Sequence, residues 1–266
     1  MNARQRITEA LLAARLYSPI HRIRAATVSR QAAKDCAAMR GFYAKLLPKG
    51  SLVFDIGANV GAFSEALASI GARVVALEPN ADNARNIQLM HPHVQVIQAA
   101  AGSRNTLANL NVSDNWDCTC TLSSDWMEKM QKSDARYKNN WSRQIAVPVL
   151  TLDTLIGHFG EPYYIKIDTD GYDLEVLRGL SKQPALLSFE FNVRFPEISL
   201  PSLDLAIFAK DSRFNMIHNP AWGYPTQFRF ADWISREDMR QVLTNLPGGD
   251  DQGDIYVARD DCSCTA

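Results

Sequence analysis

Lys166, Asp168 and Asp170 fall within five residues of the stretch Tyr164-Ile-Lys-Ile-Asp-Thr-Asp-Gly171. The stretch begins as an apolar run, and a lysine inside a buried strand is costly unless it is paired. Lys166 and Asp168 are two apart, so they share a face of an extended chain. The run Leu187-Ser-Phe-Glu190-Phe-Asn192 repeats the device with Glu190 and Asn192 on one face. If the two runs are neighbouring strands, Lys166 is placed to pair with Glu190. Carboxylates gathered where a strand ends can take a proton from a hydroxyl or face a cationic ligand. Asp168 and Asp170 are therefore the candidate catalytic residues. Their competing roles are orientation of a ligand's ammonium by Asp168 and capping of the following helix by Asp170. Glu190 and the lone His218 are the reserve candidates.

A second constellation supplies the ligand. Leu52-Val-Phe-Asp55-Ile-Gly57-Ala-Asn59-Val-Gly61-Ala-Phe63 reads as a strand, a glycine loop and the start of a helix. A dinucleotide loop would read G-x-G-x-x-G and seat a pyrophosphate on the helix N-terminus. Here the pattern is D-x-G-x-N-x-G. An acid beside the loop suits a cationic ligand better than a pyrophosphate. Glu78 ends the next strand, 21 residues after Gly57. An acid there accepts hydrogen bonds from both ribose hydroxyls of a nucleoside. S-adenosyl-L-methionine has the nucleoside, an ammonium, a sulfonium and no phosphate. The candidate cofactor-binding residues are Asp55, Gly57, Asn59, Gly61, Glu78, Pro79, Asn80 and Asp168. No metal is assigned.

Alternating elements must position these residues. Strands are expected at 52–56, 73–78, 94–99, 144–151, 163–168, 185–191, 214–218 and 254–259. Helices are expected at 4–17, 27–47, 62–70, 81–90, 153–159, 172–180 and 203–210. Strands alternating with helices at this spacing predict an α/β fold with a doubly wound, mostly parallel sheet. Residues 103–146 break the rhythm and carry Trp116, Trp126 and Trp141. They are expected to hold short strands and a helix near 125–130, as a substrate-side lid. Its tryptophans suit either the face of a sugar ring or a satellite core under a long loop, the commoner case.

The combination VFDIGANVGAFS…LEPN…VLTLDTL…YIKIDTDGYDLEVLRGL resembles the FkbM family of S-adenosylmethionine-dependent methyltransferases over about residues 50–192. The family often has Val-Glu-Gly where this chain has Thr169-Asp170-Gly171, which keeps a carboxylate and shortens it. The resemblance implies a Rossmann-like class I methyltransferase fold and O-methylation of hydroxyls on sugars or natural products. The competing functions are a non-catalytic cofactor-binding or scaffolding protein and a nucleic-acid base N-methyltransferase. Asn219-Pro-Ala-Trp222 looks like the signature of the latter. It comes two strands too late, lacks the second proline, and reads as a turn.

Composition bounds the rest. With 266 residues, 46% of them hydrophobic, one large core can form. The division expected is a helical extension at 1–47 and a methyltransferase domain at 48–266. The net charge of -1 is uneven. Residues 1–46 hold nine Lys or Arg against Glu9 and Asp35, a balance of +7 that leaves -8 on the rest. The basic arm suits packing on the acidic body or on a second subunit of a homo-oligomer, with peripheral membrane contact as the alternative. An acidic body argues against a nucleic-acid partner and leaves a small molecule or glycan as acceptor. No apolar run is long enough to span a membrane. Five cysteines without a framework favour a reducing compartment, hence the cytoplasm. Cys118/Cys120 and Cys262/Cys264 have the spacing of two halves of a zinc site, but the second pair lies in a polar tail.

Overall fold

The computed structural model describes residues 30–113, 119–133, 137–138, 140–219, 227–246, 252–262 and 264, with side chains from residue 37. A helix, α1 (Arg30–Leu46), precedes a regular alternation: β1 (Leu52–Ile56), α2 (Ala62–Ser69), β2 (Arg73–Leu77), α3 (Ala81–Met90) and β3 (Gln95–Ile97). β4 (Ala100–Ala101), β5 (Thr106–Ser113), α4 (Ser124–Ser133) and β6 (Trp141–Leu150) follow. The alternation resumes with α5 (Leu152–Phe159), β7 (Tyr164–Ile167), α6 (Asp173–Leu177) and β8 (Leu186–Asn192). α7 (Pro196–Ser199), a 3₁₀ turn (Leu200–Asp204), β9 (Arg213–Asn219), α8 (Arg236–Thr244) and β10 (Gln252–Ala258) complete it.

Seven strands form one sheet in the order β3-β2-β1-β7-β8-β10-β9. Within it β3, β2, β1, β7 and β8 run parallel, and β10 is antiparallel to both β8 and β9. This is the doubly wound, mostly parallel sheet that the alternation predicts. The order reverses direction beside β1 and β7, and such switch points leave a crevice beyond the strand ends. β4, β6 and β5 form a separate small sheet.

Period-two alternation sorts the strand residues onto two covered faces. Ile165 and Ile167 of β7 join Phe54, Ile56, Leu187 and Phe189 in a core under α5, α6 and α8. Tyr164 joins Val53, Leu186 and Tyr256 in a second core, where Met39, Phe42, Tyr43 and Leu46 of α1 pack. The expected helix at 27–47 is α1, whereas the one at 4–17 lies outside the described residues.

Two elements differ from expectation. The helix expected at 203–210 is replaced by α7 and the 3₁₀ turn, each opened by a proline, Pro196 or Pro201. The 3₁₀ turn ends at Asp204, and Leu205 turns to extended backbone with ψ 134°, so no helix continues through 205–210. Helix α8 was not expected. Only Met239 and Leu243 are buried along it, too weak a periodicity to see, although Ser235 caps it by accepting from Asp238 N at 3.1 Å.

Candidate active site

The carboxyl ends of β1, β2, β7 and β8 open into a cavity of about 310 Å³. Gly57, Asn59, Glu78, Pro79, Asp168 and Asp170 all line it, brought together from three separate strand ends. Asp55, Gly61 and Asn80 stand behind that wall. Asp55 is fully buried and accepts a 2.6 Å bond from Ser64 of α2, which ties the strand to the helix beyond the loop. Gly61 is the residue before α2, and Asn80 caps α3 by accepting from Asp82 N at 3.0 Å.

The loop conformation follows from crowding. Gly57 has φ +80°, and a Cβ there would lie 1.9 Å from the backbone oxygen of Asp168. The β1 and β7 loops thus touch backbone to backbone, which only glycine permits. Asn59 and Asp170 also adopt left-handed φ, 51° and 52°. Asn and Asp tolerate that region best among residues with a side chain. Such strained positions cluster where a loop must present its backbone to a ligand.

Glu78 anchors the second loop. Its Oε2 accepts from Asn59 N at 2.7 Å and its Oε1 from Asn80 N at 2.8 Å. Burial nevertheless pushes its pKa up to about 7, because the Asn59 and Asn80 amides and the Asn83 side chain only partly replace water. Three donors leave the carboxylate about one acceptor site of its four for a further donor.

The lysine of the opening stretch is 1% exposed. It does not pair with Glu190. β7 and β8 are neighbours, but their register sets Lys166 opposite Ser188. Its Nζ instead donates to Asp168 Oδ2 at 2.9 Å and lies 4.2 Å from the centre of the Phe63 ring. Burial works to lower its pKa, but Asp168, Asp55 and Asp254 together hold it above its ordinary value.

Around this amine the carboxylates crowd. Burial, then Asp168 and Asp173, push Asp170 well up. Burial with Asp168, Asp170 and Asp173 does the same to Glu190. Asp173 rises to about 7, through burial and then Asp168, and Asp254 rises to about 6 through burial against the pull of Lys166. The site favours cations. The residues present fit the sulfonium cofactor: an acidic cavity, a glycine cradle, a buried glutamate at the end of β2 that lines the cavity, and Asn59 Oδ1 buried without a hydrogen-bond donor.

Other expected features fall elsewhere. His218, on edge strand β9, does not line the cavity; it sits beside Phe191, ring centres 6.2 Å apart. Asn219 ends β9, three strands from β7 in the sheet, and residues 220–222 lie outside the described residues. Trp126 and Trp141 meet edge to face at 5.8 Å and pack with Met130, Tyr137 and Phe195, so they form a satellite core rather than an open platform. Trp116 and Cys118 lie outside the described residues. The zinc site does not form: Cys120 lines the cavity, while Cys262 and Cys264 are bonded to each other beyond β10, at the opposite end of the sheet. Among the described residues no cluster of three His, Cys, Asp or Glu could hold a metal.

The sequence pattern did not single out Phe63, Leu110, Thr119, Cys120, Leu122, Tyr172 and Gln252 as lining residues. Tyr172 and Phe63 adjoin motif residues and were within reach of it. The others come from distant segments and carry no local signal.

The sequence profile described as the methyltransferase FkbM domain matches residues 55–221. A comparison with curated protein sequences finds no significant match. Three solved structures to which the chain is similar are the following. A Thermoplasma acidophilum protein has a TM-score of 0.43 at 9% identity, over 86% of this chain and 87% of its own. Precorrin-6y C5,15-methyltransferase from Geobacter metallireducens has a TM-score of 0.41 at 10% identity, over 85% and 86%. The N-terminal domain of EvdMO1, solved in the presence of SAH and D-fucose, has a TM-score of 0.37 at 14% identity, over 85% and 82%.

Proposed function

Because the chain belongs to the FkbM methyltransferase family, and is an S-adenosylmethionine-dependent methyltransferase, we propose that it methylates a hydroxyl of a sugar, glycan or natural product. The observation that supports a hydroxyl acceptor is that the carboxylates Asp168, Asp170 and Glu190, from the ends of the neighbouring strands β7 and β8, all line the cavity. An alcohol sheds its proton as it attacks, and a positioned carboxylate can receive it.

When bound, the cofactor supplies a methyl group on a positively charged sulfur. The chain's part is to position and to move one proton. In this reading Glu78 accepts from a ribose hydroxyl, and the Gly57–Gly61 loop lets the backbone approach. Lys166 fixes one oxygen of Asp168 and leaves the other toward the cavity. Asp168 is the proposed base. Asp170, whose pKa burial pushes well up, is the second carboxyl at the same strand end and is proposed to help position the acceptor. Residues 1–47 are proposed as an extension to a catalytic domain at 48–266.

The test uses purified protein, methyl-labelled cofactor and a panel of glycans and small alcohols. The expected product carries its label as a methyl ether, and Asp168→Asn should lower turnover by about 10²–10⁴-fold with cofactor affinity kept. A methyl group on carbon or nitrogen, or an undiminished variant, would overturn the proposal.

A further inference from the structure

Thr119, Cys120 and Leu122, in the strap just before α4, line the cavity. Thr121 joins the small sheet: Asn111 N donates to Thr121 O at 2.9 Å and Thr121 N to Asn111 O at 3.1 Å. Gln144 on β6 donates to Asn111 Oδ1 at 2.7 Å and steadies that junction. From there the hydroxyl of Thr121 donates to the backbone oxygen of Asp170 at 2.8 Å. One residue earlier, Asn80 Nδ2 lies 3.6 Å from Cys120 Sγ. The strap is thus fixed at one side to the loop after Glu78 and at the other to the β7 loop.

The cavity has two unlike ends. Pro79, Ala99, Ala100, Leu110, Cys120 and Leu122 make an apolar wall on the Glu78 side. Asp168, Asp170, Glu190 and Gln252 make a polar wall on the other. A flat heteroaromatic ring wants apolar cover, whereas a polyhydroxylated acceptor wants polar partners.

We propose that the strap, with Leu110, Cys120 and Leu122 as its contact residues, covers the adenosine half of the cofactor, and that the acceptor enters from the Glu190–Gln252 side. This moves part of the 103–146 insertion from the acceptor to the cofactor. It rests on the cofactor assignment above.

Cys120 makes the proposal measurable, since it is half-buried and free. Burial, with Glu78 and Asp170 nearby, raises its pKa, so alkylation is best followed at alkaline pH. The full-length protein is treated with iodoacetamide with and without S-adenosylhomocysteine, and peptide mass spectrometry separates Cys118 from Cys120. If only the unbound form reacts, ten times the dissociation constant of S-adenosylhomocysteine should slow Cys120 labelling about tenfold. Cys120→Phe should weaken S-adenosylhomocysteine binding by calorimetry at least tenfold while circular dichroism stays unchanged. Binding heat with no protection of Cys120 and full affinity in Cys120→Phe would overturn the strap alone. No binding heat in the native protein would overturn the cofactor assignment and the strap with it.

Discussion

Glu78 carries two obligations at once. It holds the Asn59 and Asn80 amides and is the acid that lines the cavity at the end of β2. Its pKa of about 7 makes ligand affinity depend on pH. A nucleoside that donates hydroxyl protons needs the carboxylate, so affinity should strengthen as pH rises from about 6 to about 8, as titration calorimetry would show. Glu78→Gln should flatten that dependence. Glu78→Ala should cost about 1.5–3 kcal/mol of binding, the usual loss for hydrogen bonds to a charged group. A pH-independent affinity would place the ribose elsewhere. This residue was legible in the sequence because the glycine loop, strand and acid recur at a fixed local spacing. The partner of Lys166 was not. Two candidate carboxylates satisfied the same period of two, and only the strand register distinguished Asp168 from Glu190.

At the scale of elements, two glycines set how closely the loops approach. Gly171 has φ +81°, and a Cβ there would come within 2.4 Å of Trp126 on α4. At Gly57 the obstacle is backbone. Trp126 belongs to a small satellite core that can shift, whereas the Asp168 carbonyl is fixed by β7. Gly57→Ala should therefore be the more damaging change, costing at least about 1–3 kcal/mol from strain alone and abolishing cofactor binding. Gly171→Ala should lower stability while leaving measurable cofactor binding, by thermal melting and calorimetry. Equal effects would mean that the two loops are equally compliant. The strands β1, β2 and β7 were readable from their apolar runs. The strap was not, because Thr121 reaches Asp170 across 49 positions with no periodic pattern between them.

For the whole molecule, the consequence of burying so many acids is a stability that depends on pH in an unusual direction. Glu78 and Asp173 rise to about 7 and Asp254 to about 6, from ordinary values of 4.5, 3.8 and 3.8. Between about pH 4 and 7 the folded chain holds protons that the unfolded chain has released. Their stabilising contribution is complete below the ordinary values and is lost as pH rises through the folded ones. The ligand-free melting temperature should fall from pH 5.5 to 7.5, and a cationic cofactor analogue should narrow the fall. A melting temperature that climbs across this range would show that the acids are ionised in the fold.

The placement of β10 also has a consequence for synthesis. The last strand described is not at the edge: it fills the slot between β8 and β9. Tyr43 of α1, near the other end, bonds to Tyr256 of that strand across 213 positions. On a ribosome, then, α1 is made early and has no complete seat until residue 256 has left the exit tunnel. Until that moment β8 and β9 each present an open flank, the kind of edge that recruits other chains. A chain that stopped before residue 252 would lack the strand that joins β8 to β9 and would leave both of those flanks unpaired.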